Sequence, residues 1–213
     1  MRATGLKWSA AILALMVLMG VWVVAQIPPG EQVPIHFDAS GSADGFGGRG
    51  DVAFIFGLII AISAFVTGLM VLVSNTVEVQ AGDGPGGRVF LVCWIGTLVL
   101  MLLTLGVVAV AMLGQAELGL RALMLLFPAF GIFLGNYLPK TEPNGFVGIR
   151  TPKTMSDPEV WSRTHRMAGK WMVVGGALGL LIAALAPLPI AIAASIASLT
   201  VPLLCGLLFS IRL

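Results

Sequence analysis

The chain has 213 residues, of which 58% are apolar and 10% charged, and its net charge is +2. A soluble domain carries about 25% charged residues, so a chain this poor in charge cannot cover itself with polar surface and must face lipid. The small net charge argues against direct nucleic-acid binding.

Positions 8–30, 52–77, 89–116, 122–139 and 171–211 carry no Asp, Glu, Lys or Arg. About 20 apolar residues cross a bilayer as a helix. The first four gaps each hold one span, and the last holds two, divided at Pro187-Leu188-Pro189. The predicted spans are 8–25, 52–74, 89–112, 121–138, 170–186 and 190–210. The expected fold class is an all-α integral membrane protein with six transmembrane helices.

Arg2 and Lys7 before the first span, with Val23-Val24-Ala25 after it, also fit a cleaved signal peptide. The length of the apolar stretch and the five spans that follow favour a retained anchor.

Orientation follows from Lys and Arg. With the N-terminus inside, the inner segments hold Arg2, Lys7, Arg88, Lys140, Arg150, Lys153, Arg163, Arg166, Lys170 and Arg212, and the outer ones only Arg49 and Arg121. The expected topology is N-in/C-in, in a bacterial plasma membrane. No ionisable residue falls in the middle of a span, which argues against an ion-coupled transporter.

The outer loop, Gln26–Gly50, reads as an ordered loop with an extended, proline-rich entry and tight turns, Asp44-Gly45 being the strongest turn signal. His36, Asp38 and Asp44 are weak candidates for a metal. An EF-hand is excluded: counted from Asp38, Ala43 stands where the loop needs Gly and Arg49 where it needs Glu. The plainer expectation is a loop in which Asp side chains bond backbone N–H groups. Arg49, at the mouth of the second span, can pair with Asp44 or hold a headgroup phosphate. The Gly82–Gly87 run reads as a flexible inner turn.

The inner loop, Pro139–Lys170, should be irregular at first and then helical over residues 157–169. Ser156 with Glu159 three residues on is a capping-box pattern, and Asp157-Pro158 suits a first turn. At about 100° per residue, Trp161, His165, Ala168 and Met172 share one face, and Glu159, Arg163, Arg166 and Lys170 lie opposite. This is an interfacial amphipathic helix whose basic face can meet anionic lipid or an acidic protein, or simply enforce topology. His165 on the apolar side reads first as a hydrogen-bonded structural residue. Arg150, set between Gly148-Ile149 and Thr151-Pro152, can grip a carboxylate or phosphate, or clamp carbonyls of its own loop.

Cys93 and Cys205 fall inside spans and read as small apolar residues. Gly175 and Gly179 have a small-xxx-small spacing that suits helix packing within the molecule, or less simply a dimer face. No nucleophile–base motif, phosphate loop or cofactor motif is present, so neither an enzyme nor a cofactor is expected.

The stretches Asn136-Tyr137-Leu138-Pro139-Lys140, Pro143-Asn144, Gly148-Ile149-Arg150-Thr151-Pro152, Trp161 and Thr164-His165 resemble the SdpI family of multi-span bacterial membrane proteins. Pro34-Ile35-His36-Phe37, Gly41, Asp44-Gly45 and Arg49 resemble a domain of unknown function often joined in front of it. The resemblance implies a two-span unit over 1–75 and a four-span module over 89–213. It implies protection from a secreted, membrane-active peptide toxin, and signal transduction by capture of a transcriptional repressor at the membrane. Its partners would be the bilayer, a toxin outside and a regulatory protein inside. The implied binding residues are Asn144, Gly148, Arg150, Thr151, Pro152, Trp161, Thr164 and His165 within; His36, Asp44 and Arg49 are the candidates outside, and the helical spacing adds Arg163, Arg166 and Lys170 as a basic face. Lys153 departs from the pattern, which expects an aromatic residue there. The alternatives are a lipid- or envelope-handling protein that holds a headgroup with Arg150, His165 and the basic helix, and, last, a transporter.

Overall fold

The computed structural model describes residues 1–74, 85–145 and 147–213. In chain order these form α1 (Arg2–Gln26), β1 (Val33–Phe37), β2 (Ala43–Gly47), α2 (Arg49–Val73), α3 (Pro85–Met112), α4 (Ala116–Tyr137), a 3-10 turn (Leu138–Lys140), α5 (Pro152–Ser156), α6 (Pro158–Leu185) and α7 (Leu188–Arg212). Six of the helices are long and apolar enough to cross a membrane. The chain is thus a helical multi-pass membrane protein.

The helices outrun the charge-free gaps. They take in Arg2, Lys7, Arg49, Arg88, Arg121 and Arg212, because a helix persists into the interfacial region where long cationic side chains can reach water. In the Gly82–Gly87 run, residues 82–84 lie outside the described residues, and Pro85–Gly87 already belong to α3.

Two packing groups share α3. Met16 and Val23 of α1, Val52 and Phe56 of α2, and Trp94, Leu98 and Leu105 of α3 form one apolar core. On its other side α3 packs against α4, and α4, α6 and α7 pack on one another. The third span, assigned by sequence to the second module, therefore also completes the core of the first. The closest approach is between α4 and α6. A Cβ at Gly135 would lie 2.7 Å from the Gly169 carbonyl oxygen, and one at Gly169 would lie 2.7 Å from that of Gly135. Only hydrogen side chains allow the two backbones this near. Gly175 and Gly179 likewise face Ser198 and Pro202 of α7 and Pro128 of α4, so their small faces are used inside the molecule.

The loop between α1 and α2 is a β-hairpin, an element the alternation of Pro, Gly and Asp conceals. Val33 pairs with Gly47 and Phe37 with Ala43, with irregularities on either side of His36. The reversal is not at Asp44-Gly45, which lies in β2. It falls at Asp38–Ser42, where Asp38 Oδ1 accepts from Ser40 N (2.8 Å), Ser40 Oγ (2.6 Å) and Ser42 N (3.0 Å). The Asp side chain organises its own turn, with Gly41 at φ +90 completing it.

Among the described residues six helices are long and apolar enough to cross, and with six crossings both described termini lie at one end of the bundle and the hairpin at the other. These are called below the terminal end and the hairpin end.

Candidate functional site

The terminal end carries the most specific construction. Gly135 and Gly169 lie level with each other, so residues 158–166 of α6 run past the end of α4. The chain between α4 and α6 folds around this projecting piece.

Trp161 is buried, and its indole Nε1–H donates to the Thr141 carbonyl at 2.9 Å. One turn on, His165 is fully buried and stacked on Trp161, with ring centroids 4.0 Å apart. Its Nε2 accepts from the Ile149 N–H at 2.8 Å. The other nitrogen, Nδ1, lies 2.7 Å from the Trp161 carbonyl, which can only accept. That assigns the proton to Nδ1 and makes both ring nitrogens bonded in the neutral form. The histidine therefore clasps the loop onto α6, as the structural expectation has it.

Gly148 makes the clasp possible. Its φ is +124, and a Cβ there would lie 2.4 Å from His165 Nε2. Next, Thr154 Oγ1 donates to the Ile149 carbonyl (2.8 Å) and accepts from Thr151 N–H (2.8 Å). Thr151 caps α5, and Pro152 occupies its first turn, where no amide donor is needed. Asn144 ties the preceding bend, donating to Glu142 O (2.7 Å) and accepting from Val147 N–H (2.8 Å).

One local expectation changes. Ser156 does not cap α6; it ends α5 and donates to the Lys153 carbonyl. Asp157 is the cap, its Oδ1 accepting from Glu159 N–H at 2.7 Å, because Pro158 takes the first helical position and shifts the cap to the residue before it. The projecting part of α6 runs on into the span, as expected, and its Trp161 and His165 face is covered by protein.

Arg150 is exposed and donates to the Gly145 carbonyl, so it clamps its own loop. Lys153, where the family pattern expects an aromatic residue, donates to the Ile211 carbonyl at 2.7 Å and so ties α5 to the last turn of α7. Arg163, Arg166 and Lys170 are exposed along α6, and Lys140 is exposed at the 3-10 turn. The structure thus unites Asn144, Gly148, Thr151, Pro152, Trp161 and His165 in one folded platform. Thr164 is buried beside them in sequence, and its hydroxyl has no hydrogen-bond partner among the described residues.

At the hairpin end, His36 Nδ1 lies 2.5 Å from Asp44 Oδ1, an exposed pair that adds little stability. Asp44 is therefore not the partner of Arg49, whose Nε–H donates to the Ile27 carbonyl. Asp38 does not join His36 and Asp44, and among the described residues no three His, Cys, Asp or Glu side chains come together. Hydrogen bonds from Ser40 first, then from the Ser42 amide, hold the Asp38 carboxyl below the usual carboxylate range.

Sequence reasoning passed over Thr141 and Thr154, which look like ordinary loop residues. It also missed the work of Arg121, which donates to the carbonyls of Ala183 and Ala186, each at 2.9 Å, at the hairpin end of α6. The available signal was its position, since it is one of two basic residues in the segments predicted to lie outside.

The fold and platform define a multi-pass helical membrane protein whose distinctive part is a folded loop on one face. Residues 140–213, which contain the platform with α6 and α7, match the SdpI/YfhL protein family. Residues 11–61, containing the hairpin and Arg49, match a domain of unknown function, DUF1648. The Immunity protein SdpI of Bacillus subtilis (strain 168) is 45% identical over 49 residues, 22% of this chain and 24% of that protein. The aligned part is thus about a quarter of that relative's length. Both resemblances read from the sequence are borne out. No solved structure matches the chain.

Proposed function

We propose that this chain is an immunity-type membrane protein of the bacterial plasma membrane, which protects its cell from a secreted, membrane-active peptide and signals that encounter to a regulatory protein inside. The hairpin end meets the peptide. The terminal end lies in the cytoplasm, a reading supported by the excess of Lys and Arg there. There the platform offers Arg150 and the Arg163, Arg166 and Lys170 face to an acidic surface of the regulator.

The observation that carries this reading is the clasp. Trp161, His165 and Gly148 spend their bonding capacity on fixing the loop, not on chemistry. What remains for recognition is an exposed set of cations on a rigid base, the arrangement of a docking surface. The name of the curated relative supports the immunity part.

The test is cross-linking in cells followed by mass spectrometry, wild type beside Arg150→Ala. A peptide or protein captured by the wild type and lost from the variant is expected. Capture of the same partners by both overturns the assignment of the platform. For topology, a cysteine placed at Ser156 should resist a membrane-impermeant maleimide in intact cells; rapid labelling would reverse the orientation.

A further inference from the structure

We infer that the crevice between α1 and α2 at the hairpin end is a binding site for one phospholipid, with its phosphate on Arg49 and an acyl chain along the crevice. The crevice encloses about 380 Å³ and is lined by Val17, Val24, Ala53, Gly57 and Ile60, with Arg49 at its mouth. From Val24 to Val17 it runs about 10 Å along α1.

Apolar lining alone retains nothing in a membrane, because bulk lipid tails are as apolar as the crevice. Two further grooves show the contrast: the one between α3 and α4 and the one between α6 and α7 have no charged lining residue. Arg49 distinguishes this site. Its Nε–H donates to the Ile27 carbonyl at the end of α1, which holds the guanidinium across the mouth. Among the described residues its two terminal nitrogens have no acceptor. Three acids of this end are engaged elsewhere: Asp38 in its turn, Asp44 with His36, and Asp51 accepting from the Gly48 N–H at 2.9 Å; among the described residues no carboxylate, Glu31 and Glu117 included, forms an ion pair with Arg49. A guanidinium with a free, oriented fork suits the paired oxygens of a phosphodiester. It stands at the level where α2 begins and apolar residues give way to the hairpin, which is where headgroup phosphates lie.

Gly57 supplies the chain's space. Nothing lies within 4 Å of a Cβ built on it, so a larger side chain enters the crevice without disturbing the protein. Gly68 is equally open, on the same face of α2 about 16 Å further along, and it lies outside the crevice lining.

The test is native mass spectrometry of the detergent-purified full chain titrated with palmitoyl-oleoyl phosphatidylglycerol, and with the matching diacylglycerol, which has the chains but no phosphate. The wild type should retain one phosphatidylglycerol, at least about tenfold more tightly than diacylglycerol, the ratio expected for hydrogen bonds to a charged group. Arg49→Gln should remove that preference. Gly57→Leu should weaken retention about tenfold, and Gly68→Leu should leave it as in the wild type. Retention by Gly57→Leu equal to the wild type would refute the crevice as the chain's site. Equal affinity for the two lipids in the wild type would refute the role of the phosphate.

Discussion

Gly148 and His165 are shaped to each other: the glycine backbone turns at φ +124 so that the imidazole Nε2 occupies the space a β-carbon would need, 2.4 Å from it. The next residue then delivers its N–H to that nitrogen. The glycine thus supplies the positive φ and the space, and Ile149 the hydrogen bond that the buried acceptor needs.

Gly148→Ala should destabilise the protein by roughly 1–3 kcal/mol from backbone strain alone, with further loss from the collision with His165. Thermal unfolding in detergent measures it. An unchanged midpoint would mean that the loop is not held as described.

His165→Phe keeps an aromatic ring against Trp161 but leaves the Ile149 amide without its acceptor, while the Trp161 carbonyl keeps its helical partner. A buried donor without its acceptor costs about 1–3 kcal/mol. The variant should unfold earlier and its loop should be cut faster by protease between residues 141 and 151. Cleavage at the wild-type rate would contradict the clasp.

Arg121→Gln should lower thermal stability by a similar amount, since the guanidinium serves two carbonyls at the end of α6. Arg121→Lys, which keeps a cation that reaches both oxygens, should recover part of the loss. Identical behaviour of all three proteins would show that water serves those carbonyls equally well.

The Asp38 turn should depend on pH. Its carboxyl titrates below the ordinary value of 3.8 in the folded hairpin because Ser40 and Ser42 donate to the charged form. A lowered folded pKa means that the stabilisation is complete above the unfolded value and is lost as pH falls through the lower folded one. Protection of the Ser40 and Ser42 amides, meaning exchange relative to the unfolded rate at the same pH, should therefore be present at neutral pH and be lost only in acid. Asp38→Ala, which has no side-chain acceptor, should lack that protection at every pH.

Arg150→Ala should insert into the membrane at the wild-type level, since the residue lies outside every membrane-crossing helix. Protection of cells and capture of the regulator should fall. Loss of insertion would move Arg150 from recognition to folding.

The spans were legible because lipid imposes a requirement that local composition alone can meet, and charge-free gaps mark it. The platform was legible only as a set of residues. Trp161 and His165 sit at helical spacing and announce a shared face, but their partners, Thr141 and Ile149, are distant in sequence and unremarkable in type. The hairpin was hidden because a two-stranded ribbon rich in Gly, Pro and Asp lacks the alternation that marks a strand. Asp44-Gly45 misled for a related reason: a dipeptide suited to a turn also serves at a bulge, where Gly45 lies against the His36 Cβ. Asp38, with serines two and four residues on, was the stronger local competitor.

The pairing of α4 with α6 has a mechanical consequence. Near the platform the two backbones touch through Gly135 and Gly169, and at the far end Arg121 fastens α4 to the last carbonyls of α6. A pair of rods riveted at both ends cannot slide like a piston. It can only rock as one lever, so a push on the platform is felt across the bilayer as tilt.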